Sequence, residues 1–409
     1  MHPLIRLATG ALLGFSTATP AFSSDPAATH WVATWQASPQ PVWPSGFLFP
    51  TGIPHSLHDQ TFRQTARISL GGPRLRIRLS NAYGTTPLRI GAASVAGSAD
   101  QAPQALRFDG QPGAVIAPGQ QRLSDPLAMP TVDLQAVQVS LHVPGPTPLQ
   151  GFHWDGRQTS AIAPGDQTAR AALLDSTATT ARVLLTGIDV EAPAIARSVV
   201  VIGDSITDGA TATLDHDQRW TDHLAARLAP QRMAVVNAGI SGGRLLRDGM
   251  GEAALARFQR DVLDQPGVAS VVVLIGINDI SWPGTAFARD QPRPSLGQLK
   301  AGYRQLIQRA HARGLRIVGA TLTPFAGALP GTPLDDYYQP DKDRLRRRLN
   351  AWLREDAGFD AVIDLDAALR DPVDPARLAP AFDSGDHLHP GDAGNRAMAE
   401  AVDVGVFGR

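Results

Sequence analysis

The sequence changes rhythm at Ala192-Pro193, and this change limits the fold more than any other feature. Beyond it, short continuous apolar runs alternate with helical stretches. Residues 198–202 (SVVVI) form the first run, and 233–236, 270–275, 315–320 and 361–365 follow. A run that is apolar at every position predicts a strand buried on both faces, because a half-buried strand would alternate. Residues 218–228, 252–263, 296–313 and 341–356 read as the helices between them, with Leu345, Leu349 and Leu353 at a spacing that shares one face. A last helix is expected around 393–402. Strand–helix alternation predicts an α/β fold in which helices flank a parallel sheet.

Before the change the pattern is different. Residues 74–80 (RLRIRLS) alternate strictly, with Leu75, Ile77 and Leu79 on one face and Arg74, Arg76 and Arg78 on the other. That is the pattern of a half-buried strand with a charged outer face. Residues 61–70, 87–95, 136–143 and 181–190 read as further strands, and Asn81-Ala82-Tyr83-Gly84 as a hairpin turn. The 39 glycines and 33 prolines suit a turn-rich chain. The expected organisation is a β-rich accessory domain over 27–190, of β-sandwich or jelly-roll type, followed by an α/β domain over 197–409. Trp31, Trp35, Trp43, Phe47 and Phe49 cluster early in the first of these. They are expected to pack it against its neighbour, with a carbohydrate platform as the alternative.

The first residues read as an address. Arg6 precedes an apolar run over 7–15 (LATGALLGF), which is too short to span a bilayer, and small residues follow. Residues 1–23 are therefore expected to be an export signal, which would place the mature chain outside the cell or in the periplasm, without membrane insertion. There are no cysteines, which excludes disulfides, thiolate metal sites and cysteine nucleophiles. The 37 basic and 38 acidic residues leave a net charge of -1, which argues against a nucleic-acid partner.

Four segments of the second half could carry chemistry. Gly203-Asp204-Ser205-Ile206-Thr207-Asp208-Gly209 follows the first buried run, where ligands of open α/β sheets bind. Asn237-Ala238-Gly239-Ile240-Ser241-Gly242-Gly243 follows the second, and its small residues let backbone N–H groups approach a ligand. Gly276-Ile277-Asn278-Asp279 follows the third and offers a side-chain amide that can donate to a developing oxyanion. Asp383-Ser384-Gly385-Asp386-His387-Leu388-His389-Pro390 precedes the last helix. There a carboxylate three residues before an imidazole can hold its tautomer. Each segment alone has an ordinary reading as a turn, a cap or a solvated loop. A metal site on Asp383, Asp386, His387 and His389 is the weaker alternative for the last one.

Taken together, Gly203-Asp204-Ser205-Ile206, Gly242, Gly276-x-Asn278-Asp279 and Asp386-x-x-His389 resemble the four blocks of the SGNH, or GDSL-type, hydrolase family. The chain is also similar to an exported bacterial subgroup of arylesterases and acylhydrolases associated with xylan breakdown. The resemblance implies a flavodoxin-like sheet with Ser205 as nucleophile, His389 as base and Asp386 as its orienting carboxylate. It further implies an oxyanion hole made by the N–H groups of Ser205 and Gly242 and the amide of Asn278. No metal or organic cofactor is implied. His387 is the rival base. Ser205 is followed at +2 by Thr207, so the Gly-x-Ser-x-Gly signature of the α/β-hydrolases is missing.

The expected function is an exported serine esterase acting on a small-molecule or polysaccharide ester, short acyl esters or acetyl groups on plant polysaccharide foremost. An arylesterase, a lysophospholipase, a polysaccharide O-acetyltransferase and a glycan-binding module with an inactive catalytic domain are the alternatives. Asp204, Trp282, Phe325 and Tyr337 are the candidate substrate contacts. A histidine base must be neutral, so activity should fall below roughly pH 6–7.

Overall fold

The computed structural model describes residues 28–98 and 101–408. The expected export signal over 1–23 lies outside the described residues. In the N-terminal half the main strands are β1 (Thr29–Gln36), β2 (Gln60–Arg67), β3 (Arg74–Ser80), β4 (Ala92–Ala96), β5 (Ala136–Val143), β6 (Ser160–Pro164) and β7 (Leu185–Pro193). They fall into two antiparallel sheets, one ordered β1-β7-β3 and the other β6-β2-β5-β4, each extended by short strands. Leu75, Ile77 and Leu79 of β3 meet Phe62 of β2 and Val137 and Val139 of β5 in the core between the sheets. The two faces of each strand thus sort as alternation requires, and the result is a sandwich.

Some local expectations are corrected. Residues 87–95 are not one strand: the chain breaks at Gly91, Leu88–Ile90 pairs with Ala114–Ile116, and β4 pairs with β5. The turn at Asn81–Gly84 closes with Gly84 N–H donating to Asn81 O at 3.0 Å, yet it makes no hairpin, since the next strand pairs elsewhere. Residues 181–190 are interrupted at Leu184, where φ is 64°. The charged face of β3 is not open to water throughout. Arg76 and Arg78 both pair with Asp189 of β7, and Arg78 also donates to Gln265 of the second half.

The C-terminal half is built on a five-stranded parallel sheet. Its strands are β8 (Arg197–Gly203), β9 (Met233–Gly239), β10 (Val268–Leu274), β11 (Arg316–Ala320) and β12 (Ala361–Ile363), ordered β9-β8-β10-β11-β12. Helices α1 (Ser205–Asp208), α2 (Trp220–Leu228), α3 (Ala254–Phe258), α4 (Ile277–Ser281), α5 (Leu296–His311), α6 (Pro340–Glu355), α7 (Leu365–Leu369) and α8 (Asp392–Glu400) complete it. The stretch expected to be one helix over 252–263 is a short α3 that widens into a π turn over Gln259–Leu263. Among the described residues no helix is long and apolar enough to cross a membrane.

The halves share their interior. Ala33, Trp43, Phe152 and Ala181 of the N-terminal half lie in the same buried cluster as the parallel sheet. Ser198 Oγ donates to Ala33 O at 2.9 Å, and Ser69 Oγ to Val235 O at 2.6 Å. The chain passes from β7, ending at Pro193, to β8, starting at Arg197, with hardly any link between them.

Candidate active site

The sheet order places the site. The chain leaves β8 for β9 on one side and later returns to β10 on the other, which opens a crevice at the carboxyl ends of β8 and β10. Ser205 follows β8, Gly242 follows β9 and Asn278 follows β10. Ser205 opens the single turn of α1; the Asp204 carboxylate caps it, accepting the Ile206 N–H at 3.1 Å, and Gly209 ends it in the left-handed region. Behind the turn, the buried Arg257 guanidinium donates to Gly203 O at 3.0 Å and to Ala238 O at 2.6 Å. It thereby ties the ends of β8 and β9 together.

His389 Nε2 lies 2.8 Å from Ser205 Oγ, and His389 Nδ1 lies 2.6 Å from Asp386 Oδ2. The other oxygen of Asp386 accepts the N–H groups of Leu388 at 2.9 Å and His389 at 2.8 Å. A three-residue spacing therefore closes into one turn that aims the imidazole at the serine. Burial alone would raise the Asp386 carboxyl, but the hydrogen bond and charge of His389, with these two N–H groups, hold it below the usual carboxylate range. His387 points elsewhere. Its φ is 61°, and its Nδ1 pairs with Asp383 instead. The Asp/His cluster considered as a metal site is thus two separate Asp–His pairs.

The expected oxyanion donors converge. Among the described residues, neither the Ser205 N–H nor the Gly242 N–H has an acceptor in the protein. Gly242 has a φ of 70°, and a Cβ there would stand 2.3 Å from Met250 Sδ and 2.8 Å from the Trp282 ring, so only glycine fits. Asn278 Nδ2 donates to Gly243 O at 2.9 Å, and Asn278 Oδ1 accepts from Tyr337 Oη at 2.7 Å. These two bonds fix the amide plane and leave one N–H of the amide unused.

The cleft over Ser205 has a volume of about 310 Å³ and is lined by Gly242, Asn278, Trp282, Tyr337 and His389, among others. Trp282 and Tyr337 thus line the cleft. Asp204 and Phe325 do not. Asp204 is buried behind the serine as the cap of α1, one of its oxygens without a partner, and burial pushes its carboxyl up to about 7. Phe325 is fully buried and meets Tyr337 edge-on at 6.0 Å, so it supports the wall from behind.

Sequence reading missed two groups. Leu48 and Trp154 of the N-terminal half line the cleft together with Phe49. Only Phe49 belongs to the early aromatic cluster of the sequence, and packing explains that cluster equally well. The other is a pair across the halves: His153 Nε2 lies 3.0 Å from Asp208 Oδ1, and His153 Nδ1 lies 3.0 Å from Ser38 O. The second Asp208 oxygen accepts the Ser241 N–H and hydroxyl, at 3.0 and 2.8 Å. A residue of the N-terminal half therefore braces both the serine turn and the loop that carries Gly242.

Residues 201–397, just under half the chain, match the model of the GDSL-like Lipase/Acylhydrolase family. This stretch is a GDSL-like acylhydrolase domain. Its reaction class is carboxylic ester hydrolysis. The acylhydrolase domain also matches solved structures. One is a protein assigned to the G-D-S-L lipolytic family from Desulfitobacterium hafniense, at 18% identity over 50% of this chain and 96% of that one, with a TM-score of 0.37. Another is a GDSL-like lipase from Bacteroides thetaiotaomicron, at 18% identity over 51% of this chain and 87% of that one, TM-score 0.37. A third is a variant of an acetyl xylan esterase from Geobacillus stearothermophilus, at 24% identity over 50% of this chain and 92% of that one, TM-score 0.36. No curated protein matches the sequence. Within the acylhydrolase domain, the four family blocks are the segments that meet at the cleft.

Proposed function

We propose that the chain is an exported serine esterase that works through an acyl-enzyme. The observation that carries this reading is His389 standing between Ser205 and Asp386, within hydrogen-bond distance of both. Asp386 at Nδ1 holds the tautomer whose Nε2 is free to accept a proton. As Ser205 Oγ attacks the ester carbonyl carbon, Nε2 takes the hydroxyl proton and the carbonyl π electrons move to oxygen. The oxyanion meets the N–H groups of Ser205 and Gly242 and the free amide N–H of Asn278. Collapse breaks the ester C–O bond, and the leaving alkoxide takes the proton back from Nε2. Water, deprotonated by the same nitrogen, then attacks the acyl-serine; collapse breaks the acyl C–Oγ bond, Ser205 Oγ takes the proton back from Nε2, and the acid is released. Nothing in these steps calls on a metal or an organic cofactor.

Hydrolysis of p-nitrophenyl acetate by the mature protein, beside a folded Ser205→Ala variant, tests this reading. Activity in the first and its loss in the second are expected, with an acetyl adduct on Ser205 detectable by mass spectrometry after rapid quenching. Equal activity in both refutes the nucleophile. Export is tested separately by locating the chain in fractionated cells and sequencing its mature N-terminus.

A further inference from the structure

The cleft is chemically uneven. Its hydrogen-bonding groups gather around Ser205, while much of the remaining wall is apolar and includes Leu48, Phe49, Trp154 and Phe287. The first three come from the N-terminal half. Phe49 and Trp154 lie stacked, with centroids 5.3 Å apart and planes at 15°. Phe49 meets Phe287 edge-on at 5.5 Å, and Phe287 leans on Trp282 at 4.6 Å. One aromatic surface thus runs from the sandwich to the residues just after α4, the helix of Asn278.

Packing alone would bury these rings, as it buries Trp43 and Trp282. Instead Phe49, Trp154 and Phe287 stay half-buried, and Leu48 is 43% exposed. The wall is also held in place. Trp154 Nε1 donates to Pro50 O at 3.0 Å, while Trp43 Nε1 and Gln40 Nε2 both donate to Met250 O at 2.7 Å. A surface fixed before binding loses little entropy when a ligand lands on it. Among the described residues no lysine or arginine lines the cleft, and the Asp155 carboxylate at its edge is already held by Arg157. An anionic substrate finds no counter-charge there. The volume of about 310 Å³ is also much more than an acetyl group fills.

We propose that the N-terminal half builds the substrate wall, with Phe49 and Trp154 as specificity-determining residues. The substrate is a neutral ester whose planar or extended apolar group lies against them while its carbonyl sits at Ser205. This favours such an ester over an acetyl group on polysaccharide, and it rests on the reading of Ser205 as nucleophile.

The test uses the full chain and two neutral series: p-nitrophenyl acetate against p-nitrophenyl hexanoate on the acyl side, and ethyl acetate against 2-naphthyl acetate on the alcohol side. In Trp154→Ala and Phe49→Ala, the ratio of kcat/KM for the large ester to that for the small one is expected to fall about tenfold or more in at least one series. Trp154→Phe should restore most of it. An unchanged ratio in both series overturns the proposal. A second arm is independent of turnover: calorimetric binding of the neutral ketone 2-acetylnaphthalene to Ser205→Ala, with and without Trp154→Ala. Binding that weakens about tenfold supports the wall, and unchanged binding overturns it. Should Ser205→Ala retain full activity, the nucleophile reading fails, and this binding arm still decides the wall.

Discussion

Replacing Asn278 by alanine would remove a donor from the developing oxyanion, an acceptor from a buried phenol and the donor to the buried Gly243 O at once, and the losses differ in kind. One donor of this kind contributes about 3–4 kcal/mol to the transition state, a factor of about 10²–10³ in kcat. In the proposed mechanism the free N–H of Asn278 is that donor, since the other is held by Gly243 O. KM should change little, because the charge it meets does not yet exist in the bound ester. On the other side, Tyr337 Oη loses its 2.7 Å partner while 1% exposed. Stranding a buried hydroxyl costs about 1–3 kcal/mol, which should lower Tm by a few degrees. Two companions separate the effects. Tyr337→Phe removes the same bond without touching the donor, so its kcat should fall by less than about tenfold. Asn278→Asp keeps an acceptor for Tyr337 but places a carboxylate beside the oxyanion, so its kcat should fall at least as far as that of Asn278→Ala. Steady-state hydrolysis of p-nitrophenyl acetate and calorimetric melting read both quantities. A kcat for Asn278→Ala within threefold of the native enzyme would refute the amide as an oxyanion donor.

Three further outcomes are expected. His153→Ala removes one hydrogen-bond partner of the buried Asp208 carboxylate across the halves, while its bonds to Ser241 remain, so the protein should lose about 1–3 kcal/mol of stability; a denaturant midpoint unchanged within error would contradict the brace. Asp204 is raised from 3.8 to about 7 by burial, so the folded chain holds a proton the unfolded chain has released, and stability should drop as pH rises through that window. This group accounts for about 2–3 kcal/mol of loss between pH 5 and 8, and Asp204→Asn should flatten the trend in melts at the two pH values. Asp386, held below the usual range by His389 and two N–H groups, stays charged through the acid limb of the rate profile. That limb should therefore fall with the slope of one proton, and a slope of two would implicate the carboxylate.

Much of this architecture is legible in the sequence, for identifiable reasons. The continuous runs at 198–202 and 270–275 are short and rich in β-branched residues, as strands covered on both faces are, and strict alternation at 74–80 marks which side of β3 is core. The candidate site is legible because Ser205 and Asn278 follow strand ends and the Asp386–His389 turn precedes the last helix, so that the four segments together resemble one family pattern. What was hidden depends on distance along the chain. Nothing near His153 announces Asp208, and nothing near Trp154 announces Phe49, since those partnerships form only when the sandwich docks. The break at Gly91 was hidden for a related reason: both pieces are apolar, and only their pairing with different strands separates them. Asp204 and Phe325 show the opposite error. Closeness in sequence to a reactive serine or a long loop placed them at the substrate, whereas a helix cap and a buried ring face inward.

The passage from β7 to β8 has a consequence for how the cleft can change width. Ala194 N–H donates to Ala28 O at 2.9 Å, Ala196 N–H to Pro193 O at 2.8 Å and Arg197 N–H to Arg232 O at 3.0 Å, so even the joint is hydrogen-bonded. Two bodies that share one interior and have no slack between them cannot swing apart like jaws. The gap between Trp154 and Ser205 is set when the chain folds, not when a substrate arrives. New preferences would have to come from residue changes along the rim, as in a fixed gauge re-cut for another thread.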